Sequence, residues 1–545
     1  MITRVHSCKA KSWLDVARRL GARAVVLSLI GRGPLARLRT GLRLRDRPLP
    51  PTLPVPRIAA PPAEGFDPHL PAARLRPMGG PDIRPVWEAN RWAELPRLAL
   101  AEEGARLPEF LADWFAANPP YRGPNWACGQ EAALRALHLA LAAALGGGRP
   151  DVAVMRLLAR RIAANPAYAL AQDNNHPVSE AAGLLVCGLA LGETRMTRRG
   201  ARRLDTAIAR LVAPDGSFAQ PSPAYHRLLL DVVATAEWLR RRWSGPSAAP
   251  LTLALMAAAT RWLHRLACAE TGALPRLGHQ DGSCFADLSG AGPDDARASL
   301  ERAARLFCGA SAGWPADPGC AAMGLGGPVE LLVEAGDWTS LGFLGRRYGR
   351  ARAILRTGPL RFRPAHADLL HLDLWDGPEN LLRDGGTGAY NPADPAWLLY
   401  FQGAKAHNTI GFDGEDQMPR LGPFLFAHWP ETGVLPNGGW VRDRRGRFHA
   451  RELQATPRGF RVEDRIAGPF SEAVLRWRLA PGAWRLKAEG VEGRMRLAVE
   501  ADAPFRLNLV EGMESLAYGQ ASPLPVLEVA VGAEARRLVT RLDLR

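Results

Sequence analysis

The sequence of 545 residues predicts a helical domain followed by an antiparallel sheet domain, because the spacing of its apolar residues changes once along the chain. From Val86 to Gly327, segments with apolar residues three and four apart succeed one another with no strand between them. From Pro328 to Arg545 the period is two, in short runs separated by Gly, Pro and Asp. The length points the same way, since a single hydrophobic core stops growing at about 250–300 residues.

The elements follow in order. Residues 1–45 are basic and read as partly helical. Met1–Ile30 joins positive charge to a short apolar run, yet no convincing small-residue cleavage site follows, so a signal peptide is not established. Twelve prolines between Pro48 and Pro85 break any helix, and residues 1–85 are expected to form a basic, Pro-rich arm or linker. In the helical domain, residues 86–327, helices are predicted at Glu131–Leu145, Val152–Ala164, Ser179–Leu191, Arg202–Val212, Tyr225–Trp243, Leu251–Ala267 and Ala296–Phe307. Serial helices without strands suggest a ring or solenoid of hairpins. In the sheet domain, residues 328–545, strands are predicted at Val329–Glu334, His366–Trp375, Arg447–Gln454, Phe460–Ile466, Ala473–Leu479, Arg494–Val499, Phe505–Val510 and Pro525–Val531. Many short strands in succession suggest an antiparallel sandwich, and a cleft between the two domains would be a natural ligand site.

Composition narrows the function. Hydrophobic residues are 47% and charged residues 23%, which excludes global disorder. No apolar stretch approaches the roughly 18–20 residues of a membrane helix. The net charge is +16, and 66 of the 70 cations are arginine. Coding bias is one reading of that excess. The other is a polyanionic partner, whose carboxylates or sulfates match the guanidinium fork. The arginines are dispersed and no nucleic-acid-binding motif is present, so nucleic acid is not the expected partner. Seven widely spaced cysteines with no CxxC read as buried thiols rather than a disulfide framework.

Polar chemistry gathers in a few loops. Asp173-Asn174-Asn175-His176-Pro177 precedes the predicted helix at Ser179, so its side chains are expected to stand free of a helix face. Asp215–Gln220 leads into Ser222-Pro223-Ala224-Tyr225-His226-Arg227 at a helix start. On the predicted strand, His366 and Asp368 share a face and His371 points away. His366, Asp384 and His407 form a reasonable two-His-one-carboxylate metal set with open positions. The competing reading is that Asp384, before Gly385-Gly386, satisfies loop backbone. For Asn175 and His176 it is helix capping, and for Tyr225 a packed aromatic at a helix start.

The blocks NNHPVSE, DGSFAQPSPAYHRL, PAHADLLHLDLW and LLRDGGTGAYN, then AHNTI with DGEDQ, resemble the signatures of the heparinase II/III-like polysaccharide lyases. Trp87–Arg91, Asn118-Pro119, Asn125-Trp126, Glu131 and Arg135 resemble the N-terminal part of that family, so the likeness spans Trp87 to Gln417. It implies an (α/α) toroid of helical hairpins joined to a C-terminal antiparallel β-sandwich, and eliminative cleavage of a uronate-containing acidic polysaccharide.

Such a lyase must neutralise the C6 carboxylate, remove the C5 proton and protonate the leaving O4. The resemblance assigns Asn175 and His176 to the carboxylate and Tyr225 to acid catalysis, with the base role on the same face of the sugar open to it as well. A phenol acts as base only in a cationic field, for which His176, His226 and Arg227 are candidates. Gln220, His226, Arg227 and His279 are expected substrate contacts. His366, Asp384 and His407 match the family's metal positions, which implies structural zinc bracing the sheet loops. One departure stands out: where family members carry a histidine two residues before the HAD histidine, this chain has Pro364. Two rivals therefore stay open. One is a glycoside hydrolase, with Asp215 and Asp281 as carboxylates; the other is a non-catalytic acidic-glycan-binding or exopolysaccharide-associated protein. The cysteines fit a cytoplasmic protein, whereas the resemblance implies the bacterial cell envelope or periplasm.

Overall fold

The helices start where polar caps and prolines start them. The structure, a computed structural model, describes residues 2–44, 65–75, 81–101, 103–333, 336–422 and 424–544, with the side chains of residues 2–11 left aside. The basic N-terminus forms α1 (Ile2–Arg32), broken at Gly21, and α2 (Pro34–Arg43). Most of the expected Pro-rich arm lies outside the described residues. The helical half continues with α3 (Arg84–Ala89), α4 (Glu94–Leu100), α5 (Leu107–Ala117), α6 (Gly129–Leu145), α7 (Val152–Ala164), α8 (Pro166–Leu170), α9 (Asn175–Leu191), α10 (Thr194–Leu211), α11 (Pro223–Arg242), α12 (Pro250–His264) and α13 (Arg297–Ala303).

Two of these begin earlier than apolar periodicity suggested, and both matter to the site. Asn174 accepts from the His176 amide and starts α9 at Asn175. Asn175 and His176 are thus first-turn helical residues, not the free loop expected. Ser222 accepts from the Tyr225 amide and Pro223 takes the first position of α11.

The helical core is lined by α6, α9 and α11, which are buried along nearly their whole length. At its entrance Arg135 lies over the rings of Trp92, Trp114 and Trp126. Arg91 makes a two-pronged ion pair with Glu131 at 2.8 and 3.0 Å. The residues near Trp87–Arg135 therefore build a buried frame.

The sheet half is antiparallel throughout its three main sheets. A five-stranded sheet runs in the order Trp338–Ser340, Phe343–Tyr348, Ala351–Arg356, Leu372–Asp376, Glu379–Leu382. An eight-stranded sheet spans residues 431–543, and a four-stranded sheet orders Phe505–Glu514, Ser522–Gly532, Glu472–Arg478 and Ile410–Phe412. Inward residues of all three, among them Leu355, Leu372, Phe460, Trp477 and Leu527, share one core. Phe343 and Trp338 of the first sheet pack on Trp262 of α12 and tie sheet to helices.

The strand expected over His366–Trp375 forms only at Leu372–Asp376. Leu370 adopts φ 63°, its amide donates to Arg356 O, and the His371 amide donates to Asp368 O, so the chain turns before it pairs. His366 and Asp368 consequently do not share a strand face, and His366 sits on a buried loop. The six described cysteines are free thiols, four of them buried.

Candidate active site

Helix starts from the toroid meet loops of the sheet half, and the sequence-predicted residues divide between two clusters. The first is built around Ser222. Its hydroxyl caps α11 through the Tyr225 amide at 3.2 Å and donates to the His279 carbonyl at 2.5 Å, so one side chain pins Tyr225 and His279 to the same place. Gly278 adopts φ +64°, and any β-carbon there would collide with the Pro221 carbonyl. Only glycine lets the His279–Asp281 loop pass this close to α11.

The Tyr225 hydroxyl donates to Asp281 Oδ2 at 2.5 Å, and the Tyr390 hydroxyl donates to the same oxygen at 2.9 Å. Arg84 Nε lies 3.0 Å from that carboxylate. Burial would raise the Asp281 pKa, but Arg84 and the two hydroxyls outweigh it and hold the carboxyl well below its usual range. Burial and then the Asp281 charge push the Tyr225 phenol above its ordinary value, so Tyr225 is a neutral donor.

Beside this cluster, Asn175 Nδ2 donates to Gln130 Oε1 at 2.8 Å, and the Asn175 amide donates to Gln220 Oε1 at 3.3 Å. His176 is half-buried, its Nδ1 3.7 Å from Cys128 Sγ, and burial lowers it to about 3. It is therefore neutral and supplies no cationic field to Tyr225; Arg84 supplies that field instead.

His279 is buried, its ring edge-on to Tyr390, Phe424 and His366 at 5.4, 5.5 and 5.7 Å between centroids. Its Nε2 has no hydrogen-bond partner and burial lowers it to about 4.

Two expected substrate contacts turn elsewhere. His226 stacks on Trp262 at 4.7 Å and its Nε2 meets the Ala259 carbonyl at 2.9 Å, on the core side of α11. Arg227 donates to Ser299 Oγ at 2.9 Å and to the Pro293 carbonyl. His226 and Arg227 lie about 100° and about 200° around α11 from Tyr225, so sequence proximity does not bring them to the site. The two hydrolase candidates also part. Asp215 accepts from Ser217 and from the Leu341 amide, whereas Asp281 is the ion-paired hub of the tyrosines.

The second cluster is the predicted metal set. His366, Asp384 and His407 are fully buried and offer donor atoms within 4.8 Å of one another. Asp384 Oδ1 accepts from the Gly386 amide at 2.8 Å, as the loop-backbone reading expects, while Oδ2 lies 2.9 Å from His407 Nδ1. His371 Nε2 approaches that oxygen at 3.7 Å. Both ring nitrogens of His366, Nε2 of His407 and Nε2 of His371 have no partner. Buried polar atoms are normally paired, and imidazoles with a carboxylate are a donor set that suits zinc, so the residues present fit a metal ion.

Sequence reasoning missed Arg84, Gln130, His371 and Tyr390. Only Tyr390 carried a local sign, lying six residues after Asp384 in a glycine-rich loop.

Residues 335–522 match the family model Heparinase II/III-like, C-terminal. Among solved structures, Heparinase III is similar with a TM-score of 0.61 at 13% identity, over 84% of this chain and 77% of that one. A second Heparinase III gene product gives 0.57 at 15%, over 85% and 79%. The heparan sulfate lyase HepC from Pedobacter heparinus gives 0.54 at 16%, over 85% and 76%. No curated protein matches by sequence. Residues 335–522 thus match the heparinase II/III-like C-terminal model by sequence, and the fold along the chain's length resembles that of Heparinase III.

Proposed function

We propose that the chain is a polysaccharide lyase that cleaves a uronic-acid-containing acidic polysaccharide by β-elimination, with residues 86–327 and 328–545 as the two walls of its site. The observation that carries this reading is the Tyr225 hydroxyl held on a buried, ion-paired Asp281 beside His279, whose Nε2 has no partner.

Asn175 uses one amide N–H on Gln130 and turns the other to the substrate carboxylate, joined by a neutral His176 N–H. Gln220 fixes the backbone of that turn. Neutralising the carboxylate lowers the cost of the carbanion at C5. Tyr225, a protonated phenol, gives its proton to the leaving O4. It cannot take one in that state, so His279 receives the C5 proton at Nε2, the part that the residue at Pro364 would otherwise play. His366, Asp384 and His407 would hold zinc. Bound there, the ion supplies fixed positive charge that braces the sheet loops, and the elimination consumes no water that it would need to activate.

Purified protein incubated with uronate polysaccharides should develop ultraviolet absorbance from the C4–C5 double bond. Chain shortening without that absorbance would point to hydrolysis. The buried Pro364, which leaves no ionisable group at its position, favours one second reading, a glycan-binding protein without turnover. Saturable binding with no product on any substrate would establish it. The bacterial cell envelope, where acidic polysaccharides are made and remodelled, is the proposed place of action.

A further inference from the structure

The N-terminal helices present a surface that the packing of the molecule does not explain. Their inner side joins a few aliphatic residues, Val16 and Leu44 among them, to small residues and polar contacts. A β-carbon at Gly31 would collide with the Tyr168 backbone, Asn165 Nδ2 donates to the Gly31 carbonyl at 2.9 Å, and Arg43 donates to the Ala164 carbonyl at 3.0 Å. Arg23 pairs with Asp173 at 3.1 Å, and the His428 amide donates to Asp15 at 2.7 Å. The helices are thus fixed to both halves of the protein.

Their outer side is apolar. Val26, Leu29 and Ile30 share one face of α1, and Leu35, Leu38 and Leu42 share one face of α2, each at least 51% exposed. With Trp13 and Leu14 they make eight of the twenty exposed large hydrophobic residues among those described, within thirty consecutive positions. An amphipathic helix on a folded body keeps its large apolar side chains inward; here six of them face outward in addition to the buried Val16, Ala24, Ala36 and Leu44.

Charge identifies what covers this face. Residues 2–44 hold ten Lys or Arg against one acid, Asp15, so 10 − 1 = 9 of the net +16 lies in this segment. Arg18, Arg32, Arg37 and Arg39 are exposed. An acidic polysaccharide would use the cations and leave the leucines in water. A protein groove would use the leucines and gain nothing from so one-sided a charge. Anionic headgroups over acyl chains use both. No described helix is long and apolar enough to cross a membrane, so the pair would lie in the interface rather than span it.

We propose that the outward face of α1 and α2 docks the protein on an anionic lipid bilayer. Because Arg23 of this pair holds Asp173, two residues from Asn175, docking sets the carboxylate-binding end of the site close to the lipid surface. The surface is independent of the proposed lyase chemistry.

The test is co-sedimentation of the full chain with vesicles of phosphatidylcholine and phosphatidylglycerol, beside phosphatidylcholine alone, at low and high salt. Binding to the mixed vesicles only, weakened by salt, is expected. The triple variant L29Q/L35Q/L38Q should lose about tenfold or more of that binding with its thermal unfolding unchanged. Equal sedimentation of variant and wild type, or no binding to the mixed vesicles, would overturn the proposal. So would self-association without vesicles that the variant abolishes, which would make a second copy the occupant. Saturable binding of a uronate polysaccharide by the α1–α2 face, lost in L29Q/L35Q/L38Q, with no binding to the mixed vesicles, would make the glycan the occupant and overturn it equally.

Discussion

The two polar clusters at the toroid–sheet junction differ in how complete they are. On the toroid side Arg84, Tyr225 and Tyr390 converge on Asp281, whose charge is fully compensated by the fold itself. On the sheet side four buried ring nitrogens of His366, His371 and His407 have nothing to bond, although Asp384 sits among them. A buried donor or acceptor without a partner costs about 1–3 kcal/mol. The contrast separates a cluster whose polar groups satisfy one another from one whose unpartnered nitrogens fit a cation.

Substitutions break that comparison at graded cost. Tyr225→Phe removes the proton donor; unsaturated product should form about 10²–10⁴-fold more slowly, and the lost hydrogen bond to the buried Asp281 should cost about 1–3 kcal/mol in thermal unfolding. Asp281→Asn leaves the buried Arg84 with Glu88 and Ser283 as its remaining partners and should cost about 1–3 kcal/mol in denaturant unfolding. Extracting metal with a chelator should lower stability by about 3 kcal/mol where the ion is ~100-fold above its dissociation constant, and restoring zinc should reverse the loss. Asp384→Ala should abolish that response, and a chelator without effect on wild type would count against the metal reading.

The last effect is electrostatic. Burial raises Glu180 of α9 from 4.5 to about 8. Between those values the folded state keeps a proton that the unfolded chain has released, so stability falls as pH rises through the window. Glu180→Gln, which never ionises, should be increasingly stable relative to wild type from pH 5 to pH 8, as calorimetry at the two pH values would show.

The architecture was legible because periodicity reports burial, and the switch from three-to-four spacing to two falls where helices give way to sheets. Boundaries were less so. Asn174 and Ser222 are polar, so apolar spacing cannot see that they begin α9 and α11. His366 was placed on a strand because its neighbours alternate, while the turn at Leu370 depends on a bond to Arg356 in another strand.

The candidate site was half legible. Asn175, Gln220, Tyr225, His366, Asp384 and His407 stand in motifs that local sequence displays. Arg84 and Tyr390 become partners of Asp281 only through folding, across 197 and 109 positions. His226 and Arg227 show the reverse: they adjoin Tyr225 in sequence, yet helical rotation sends them into the core.

The division of labour between Tyr225 and His279 is tested most directly by C5 hydrogen exchange. A uronate polysaccharide incubated in deuterium oxide with Tyr225→Phe should take up deuterium at C5 without being cleaved, because the base works and the acid is gone. His279→Ala should neither exchange nor cleave. Cleavage by His279→Ala at the wild-type rate, with no exchange in Tyr225→Phe, would contradict the assignment and make Tyr225 both acid and base.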